Sequence, residues 1–325
     1  MARVAVLFVG CALLVGCAAA ATPAEPPAAP STAARAPAAP FAGQWRVFAG
    51  ELGDPQWAGH LSDVVGVALN GSGVLYATDS RNGLVQVIGP DGRLLARWGG
   101  AASAVGRLVS PAGVALDLDG NVYVVDAAAA RVHVLDPTGR PLAEWGRPGS
   151  GPGELAFPYG IAVDGFGDVY VADTRNDRVQ RFAPDGRPLA QWGARGAEAG
   201  QLARPYGVAV APDGDVYVVE EANNRVQRFS AAGQPRGRWG SYGTAPGEFM
   251  YPRGIAVDGQ GVVYVADSWN HRVQAFSPSG QLLGVAGGRG ADPGRFQRPE
   301  GLALDRSGHL YVADGANNRV QKLTG

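Results

Sequence analysis

Cysteine is almost absent from this chain. Its 325 residues include two, Cys11 and Cys17, both near the start. The remainder can form no disulfide, which excludes a disulfide-stapled scaffold. A chain this long buries enough surface to hold a core without one. Lysine is scarcer still, since Lys322 is the only one and every other strong base is Arg. The formal net charge is −1, so no global field favours nucleic acid or acidic substrates. Long apolar runs are also missing: the longest, Val4–Val15, falls well short of the roughly 20 residues that span a bilayer. No nucleophile elbow, phosphate loop or Cys–His pair is present.

What the chain does have is a repeat of constant length. Glycine recurs 47 residues apart at Gly66, Gly113, Gly160, Gly207, Gly254 and Gly301. Tyrosine keeps the same step at Tyr76, Tyr123, Tyr170, Tyr217, Tyr264 and Tyr311. Six such units run from about Gln44 to Gly325. Whatever occurs six times belongs to the scaffold, and whatever occurs once is where function is sought.

The third repeat shows the unit most clearly. Four short strand-like runs, a (160–164), b (168–173), c (178–182) and d (188–193), alternate with turns rich in Gly, Pro and Asp. Strand b, Val169-Tyr170-Val171-Ala172, is β-branched and aromatic. Nothing inside the repeats keeps helical spacing over three turns. Four antiparallel strands at this period predict an all-β, six-bladed propeller rather than an open solenoid. Repeat six ends after strand c, at Lys322-Leu323. The segment Gln44-Trp45-Arg46-Val47-Phe48-Ala49-Gly50 reads as the missing strand d, by comparison with Arg97-Trp98-Gly99 or Gln191-Trp192-Gly193. An N-terminal strand that completes the last blade closes the ring and protects its edges.

The runs Pro158–Phe182 and Pro252–Phe276, with Pro-x-Gly-Ile-Ala-Val-Asp, then Val-Tyr-Val-Ala-Asp, then Arg-Val-Gln, resemble the NHL-repeat family. The resemblance recurs over all six repeats. It implies the propeller fold but leaves function open, since NHL-like propellers include binding modules and a few enzymes.

The N-terminus reads as an export signal. Residues 1–17 carry one positive charge, a short apolar core and the step Leu14-Val15-Gly16-Cys17, which resembles a bacterial lipobox. An ordinary secretory signal cleaved near Ala20 or Ala21 is the alternative. Residues 18–43, mostly Ala, Pro and Thr, read as a disordered tether. Residues 44–325 are the propeller. The expected location is the bacterial cell envelope, periplasmic or on the outer surface, anchored through lipid on Cys17. The expected partner is a ligand, glycan or cell-envelope protein; no nucleic acid is expected, and the chain is expected to be a monomer.

Acids close strand b in every repeat, and an Arg follows five residues later in most: Asp126/Arg131, Asp173/Arg178, Glu220/Arg225, Asp267/Arg272 and Asp314/Arg319. Repeat one has Asp79 but Leu84. Such pairs satisfy the ends of a hairpin and are assigned to structure. The four histidines, His60, His133, His271 and His309, fall at different repeat positions, so no converging zinc set is expected. In this the chain departs from amidating-lyase relatives, which hold zinc with channel histidines. No cofactor is assigned; a channel calcium held by carbonyls and a carboxylate is left open.

Function is sought where the repeats differ. The residue inside each Pro-x-Gly step rings the channel mouth: Val65, Ala112, Tyr159, Tyr206, Arg253 and Glu300. The b–c loops add Arg175, Glu221 and Trp269, and the d–a connections on that end, such as 147–157 and 194–204, are long. Long loops on a rigid scaffold concentrate binding residues. The candidate binding site is therefore Tyr159, Tyr206, Arg253, Glu300, Trp269, Arg175 and Glu221, with the side chains of Tyr206 and Trp269 outside the core. A recognition module fits this best. The alternative is a hydrolase or lyase using an acid such as Glu300 or Glu220 near the channel, with or without a metal.

The leader generates one prediction. Mass spectrometry of the mature N-terminus is expected to find an acylated Cys17; a free terminus at any later residue would exclude the lipid anchor.

Overall fold

The structure, a computed structural model, describes residues 40–50, 61–100 and 103–324. The signal 1–17 with Cys11 and Cys17, residues 18–39 of the Ala/Pro-rich segment, and His60 lie outside the described residues.

Among the described residues, six four-stranded antiparallel sheets follow one another around a ring. Blades one to five occupy residues 64–99, 111–145, 161–192, 205–239 and 255–287, with strands a to d pairing in chain order. In blade three these are Ile161–Val163, Val169–Asp173, Arg178–Phe182 and Pro188–Trp192. Strand b is buried along its whole length in every blade. The reason is that each blade is covered on both faces by its neighbours. Six apolar clusters result, each drawn from two adjacent blades, and the one joining blade six to blade one includes Tyr311, Val320, Leu75 and Ala77. Val, Ile and Tyr in strand b suit such two-sided burial.

Blade six takes strands a to c from Pro299–Leu304, Leu310–Asp314 and Arg319–Thr324, and its outer strand from Gln44–Ala49. The ring is thus closed by the N-terminal strand, as the sequence predicts. Its register differs from the Trp-Gly comparison. Trp45 faces Leu323, whereas Ala49 faces Val320, the residue equivalent to the Val85 that Trp98 faces. A bulge between Val47 and Ala49 turns Phe48 inward. Phe48 then meets Tyr311 edge-on at 5.1 Å, in the role that Trp98 plays on Tyr76 at 5.4 Å. Upstream, Phe41 already packs edge-on against Tyr264 at 6.0 Å, so contact with blade five begins inside the segment assigned to the tether.

At the axis, backbone meets backbone. A Cβ placed on any of Gly66, Gly113, Gly160, Gly207, Gly254 or Gly301 would lie under 3.0 Å from the carbonyl oxygen of the residue before the next blade's glycine. The series ends at Gly301 against Val65, so the contact passes from blade six back to blade one. Hydroxyls reinforce three of these junctions: Thr78, Thr174 and Ser268 donate to the carbonyls of Ala112, Pro205 and Pro299 at 2.5, 2.7 and 2.6 Å.

The acids that close strand b organise the long-loop end. Asp173 accepts the Ala156 N–H, the Asn176 amide, the Arg178 Nε and the Gln180 amide at 2.7–3.1 Å. Glu220, Asp267 and Asp314 accept the same four partners in their own blades. Arg178 gives its other N–H groups to the carbonyls of Ser150, Gly151 and Glu154. The long d–a connections are therefore clamped and stereotyped, each burying one apolar side chain: Leu155, Leu202, Phe249 or Phe296. Most of each connection is scaffold, and its last residue, such as Phe157 or Arg204, varies from blade to blade.

Two assignments change. The Asp126/Arg131 ion pair does not form, because Asp126 is satisfied by the N–H groups of Val109, Ser110 and Ala129. Arg131 turns to Glu144 on the adjoining strand instead. Glu220 belongs to the blade-four hub with Arg225 and Gln227, so it is not free to act as a channel acid.

The axial contacts yield a paired test. Gly254→Ala is expected to cost about 1–3 kcal/mol or more by overpacking against the Glu300 carbonyl. Gly237→Ala, at a glycine with open space around it, is expected to stay within about 0.5 kcal/mol. Urea melts of both variants check the contrast.

Candidate functional site

The Pro-x-Gly step opens strand a or immediately precedes it, so the variable residue of that step reaches the mouth and the residue after the glycine lies one step deeper. The deeper ring is aliphatic throughout: Val67, Val114, Ile161, Val208, Ile255 and Leu302. The cavity it shares with Tyr159, Tyr206, Arg253 and Glu300 holds about 70 Å³. That is room for roughly two waters. Nothing larger than a few waters fits below the mouth.

Five of the seven candidate residues form one connected cluster there. Tyr159 and Tyr206 stack with centroids 4.3 Å apart and planes 19° from parallel. The Tyr206 hydroxyl donates to Glu300 Oε2 at 3.3 Å. Arg253 bonds Glu300 Oε1 at 2.5 Å, pairs with Glu221 Oε1 at 3.1 Å and lies 4.9 Å over the Tyr206 ring. Burial alone would lower the Arg253 guanidinium, yet Tyr206, Glu300 and Glu221 beside it raise it overall. Burial, followed by the Glu300 charge, pushes the Tyr206 phenol well above its ordinary value. It stays a protonated donor.

The other two candidates stand apart from the cluster. Trp269, half exposed, packs against the exposed Tyr251 at 5.7 Å. Arg175 lies 3.6 Å over the Phe157 ring. One expectation is overturned: Tyr206 is buried, at 8% exposure, and Glu300 and Glu221 are buried beside it, at 2% and 3%. Their side chains plug the mouth, above the small cavity lined by the aliphatic ring.

Sequence reasoning missed a second ring, three residues before each axial glycine: Asp63, Ser110, Phe157, Arg204, Tyr251 and Arg298. It keeps the 47-residue step and varies as the first ring does, which is the signal that could have found it. Five of the six have a left-handed backbone, with φ from 46° to 58°. The preceding blade holds four of them by an acceptor side chain on the backbone N–H. Asn318 holds Asp63 at 3.0 Å, Asp177 holds Arg204 at 2.8 Å, Asn224 holds Tyr251 at 2.8 Å, and His271 Nδ1 holds Arg298 at 3.1 Å. Arg298 then reaches Glu300 Oε1 at 3.1 Å and Arg204 reaches Glu221 Oε2 at 3.0 Å. The N–H groups of the b–c loop amides are already used within the scaffold. Asn176, Asn223, Asn270 and Asn317 all donate to carbonyls of the d–a connections and to the strand-b acids.

The histidines have local partners. His133 Nδ1 lies 3.2 Å from Glu144, His309 Nδ1 2.8 Å from Asp305, and His271 serves as the acceptor just described. Among the described residues no group of three or more His, Cys, Asp or Glu is arranged to hold a metal ion.

Fold and mouth together define a six-bladed β-propeller whose six blades share one scaffold and differ around the axis. The chain carries four NHL repeats: the NHL repeat profile matches residues 155–182, 202–229, 249–276 and 296–323, in blades three to six. The unmatched blades are those that depart from the acid hub, at Leu84, Ala129 and His133. No curated protein matches the sequence. Solved propellers superpose on it. A virginiamycin B lyase from Staphylococcus aureus does so with TM-score 0.60 and 16% identity, over 87% of this chain and 86% of that one. A gluconolactonase from Xanthomonas campestris gives 0.63 and 19%, over 86% and 89%. A chain of a nidogen/laminin complex gives 0.53 and 22%, over 69% and 80%. At these identities the likeness is one of fold.

His271 supplies a pH test. Burial, then the nearby Arg289 and Arg298 charges, lowers its pKa from 6.5, against the opposing pull of Asp314 and Asp267. Neutral Nδ1 accepts from Arg298 N–H, so this contribution is complete above about pH 6.5 and is lost as pH falls through the depressed value. Melting temperature is expected to drop between pH 7 and pH 5, and less steeply in His271→Asn, which keeps an acceptor as Asn224 and Asn318 do. Equal slopes in the two proteins would remove His271 from the account.

Proposed function

We propose that the protein is an exported, lipid-anchored recognition module whose contact surface is the propeller mouth on the long-loop end, biased to blades three to six. One observation carries this reading. The scaffold asks only for glycine and backbone at the axis, and Val65 and Ala112 satisfy it in blades one and two. The equivalent positions in blades three to six hold the linked Tyr159, Tyr206, Arg253 and Glu300. The second ring supports the reading. Glycine would adopt its left-handed backbone without strain. Phe157, Arg204, Tyr251 and Arg298 stand there instead, at about 1 kcal/mol or more each. Strain kept at one end of the ring, under exposed aromatic and guanidinium groups, has the composition of a contact hot spot.

The hydrolase or lyase alternative gains little from the same geometry. Both Glu300 oxygens are occupied, by Arg253 and Arg298 on one side and Tyr206 on the other, and Tyr206 is held protonated. The names of the superposed lyase and lactonase make a turnover assay a sensible control.

The test is a thermal-shift screen of the full chain against peptides, oligosaccharides and metal ions. Binding of a hit is expected to weaken by about 1–2 kcal/mol in Trp269→Ala with little change in melting temperature, since Trp269 is half exposed. Phe166→Ala, at 91% exposure on the opposite end of the ring, is expected to leave it unchanged. The reverse pattern would move recognition to the a–b turns.

A further inference from the structure

Over blades three to six the chemistry that the mouth offers to solvent is mostly cationic, while Asp63, a partly exposed carboxylate of the same ring, stands at the start of blade one. The carboxylates of Glu300 and Glu221 lie underneath: their side chains are 1% and 5% exposed, and each is already paired with Arg. Guanidinium groups lie on top, with Arg204 at 59% and Arg298 at 40%. The buried Arg298 Nε has no hydrogen-bond partner. The N–H groups of the loop amides are consumed inside the scaffold. What remains free is a set of cationic donors beside aromatic faces, Tyr251 with Trp269 on one side and Phe157 on the other. A neutral glycan presents hydroxyls that must donate as well as accept, and the exposed guanidinium groups of Arg204 and Arg298 offer them no acceptor. A carboxylate only accepts, and an Arg fork suits its geometry.

Resting on the recognition reading, we propose that the mouth binds an acidic peptide segment of a partner protein. Asp or Glu side chains of the peptide pair with Arg204 and Arg298. A neighbouring apolar or aromatic side chain packs on the Tyr251–Trp269 pair. The two arginines are pre-aimed for this role. Their left-handed backbones are fixed from the preceding blade by Asp177 and His271, so little freedom is lost on binding. Glu221 and Glu300 hold the guanidinium groups from below without neutralising their exposed edges. The small channel cavity keeps the segment on the surface, consistent with a peptide laid across the mouth rather than a ligand swallowed by it.

Panning a random-peptide phage library on the purified full chain tests the proposal. Enriched peptides are expected to carry Asp or Glu beside an apolar residue. Synthetic copies should bind about tenfold or more weakly to Arg204→Ala and to Arg298→Ala. Replacing the acids in the peptide by Gln should do the same, and added salt should weaken binding. Melting curves identify a variant that has merely lost its fold; Arg204→Glu, with a Lys-bearing twin of the peptide, then restores binding if the contact is ionic. Enrichment without acidic residues, or winners indifferent to all the Arg variants but sensitive to Trp269→Ala, overturns the acidic-peptide proposal and leaves the recognition surface standing. Enriched peptides indifferent to every mouth variant, or no enrichment together with no response to oligosaccharides, overturn both.

Discussion

Six places where no side chain stands allow this ring to close. At Gly66, Gly113, Gly160, Gly207, Gly254 and Gly301 the carbonyl of the next blade occupies the space a Cβ would need. A methyl group at one junction would push two blades apart. A ring has no free end to absorb the shift, so the error would spread around the axis. The apolar clusters between blades contribute most of the burial, but they tolerate modest repacking. The axial backbone contacts do not, and they set the distance at which every cluster forms.

The closely packed axis also decides where the variable chemistry stands. Each of those carbonyls belongs to the residue whose side chain faces the mouth, so backbone position and side-chain position are fixed together. Tyr159, Tyr206, Arg253 and Glu300 can then differ in chemistry while keeping their spacing. One residue layer further out, the strand-b acids do comparable work for the loops. Asp173 and its equivalents gather an amide, a guanidinium, a second amide and a backbone N–H onto one carboxylate. Buried carboxylates are costly unless so surrounded. The result is a rigid rim on which Arg204, Tyr251 and Arg298 are carried.

Much of the fold was legible in the sequence, because a propeller blade is a local unit and its turns announce themselves through Gly, Pro and Asp. The outer strand Gln44–Ala49 was legible as well, from what repeat six lacked. Its register was not, because Trp45 imitates the Trp98 position while the bulge at Val47 hands that role to Phe48. The site was legible in part. Side-chain identity at equivalent positions pointed to Tyr159, Tyr206, Arg253 and Glu300. It could not tell that Tyr206 and Glu300 are buried, since burial there depends on how far the aliphatic ring beneath fills the channel. Arg204 and Arg298 escaped notice because their repeat position is occupied by Asp63 and Ser110 elsewhere and shares no motif letter. Arg131 misled for a related reason: pairing with Asp126 was inferred from spacing, while Glu144 on the next strand lies closer.

The joining of the first strand to the last has a bearing on how the protein comes into being. Gln44 and Thr324, 280 positions apart in the chain, are joined by a hydrogen bond. The strand that leaves the ribosome first is seated last. Until Arg319–Thr324 has been made, Gln44–Ala49 lacks its strand partner, and the ring lacks the closing contact from Gly301 to Val65. Local hairpins form early, but the ring as a cooperative object exists only when the chain is complete. A truncated product would keep good blades and lack a molecule.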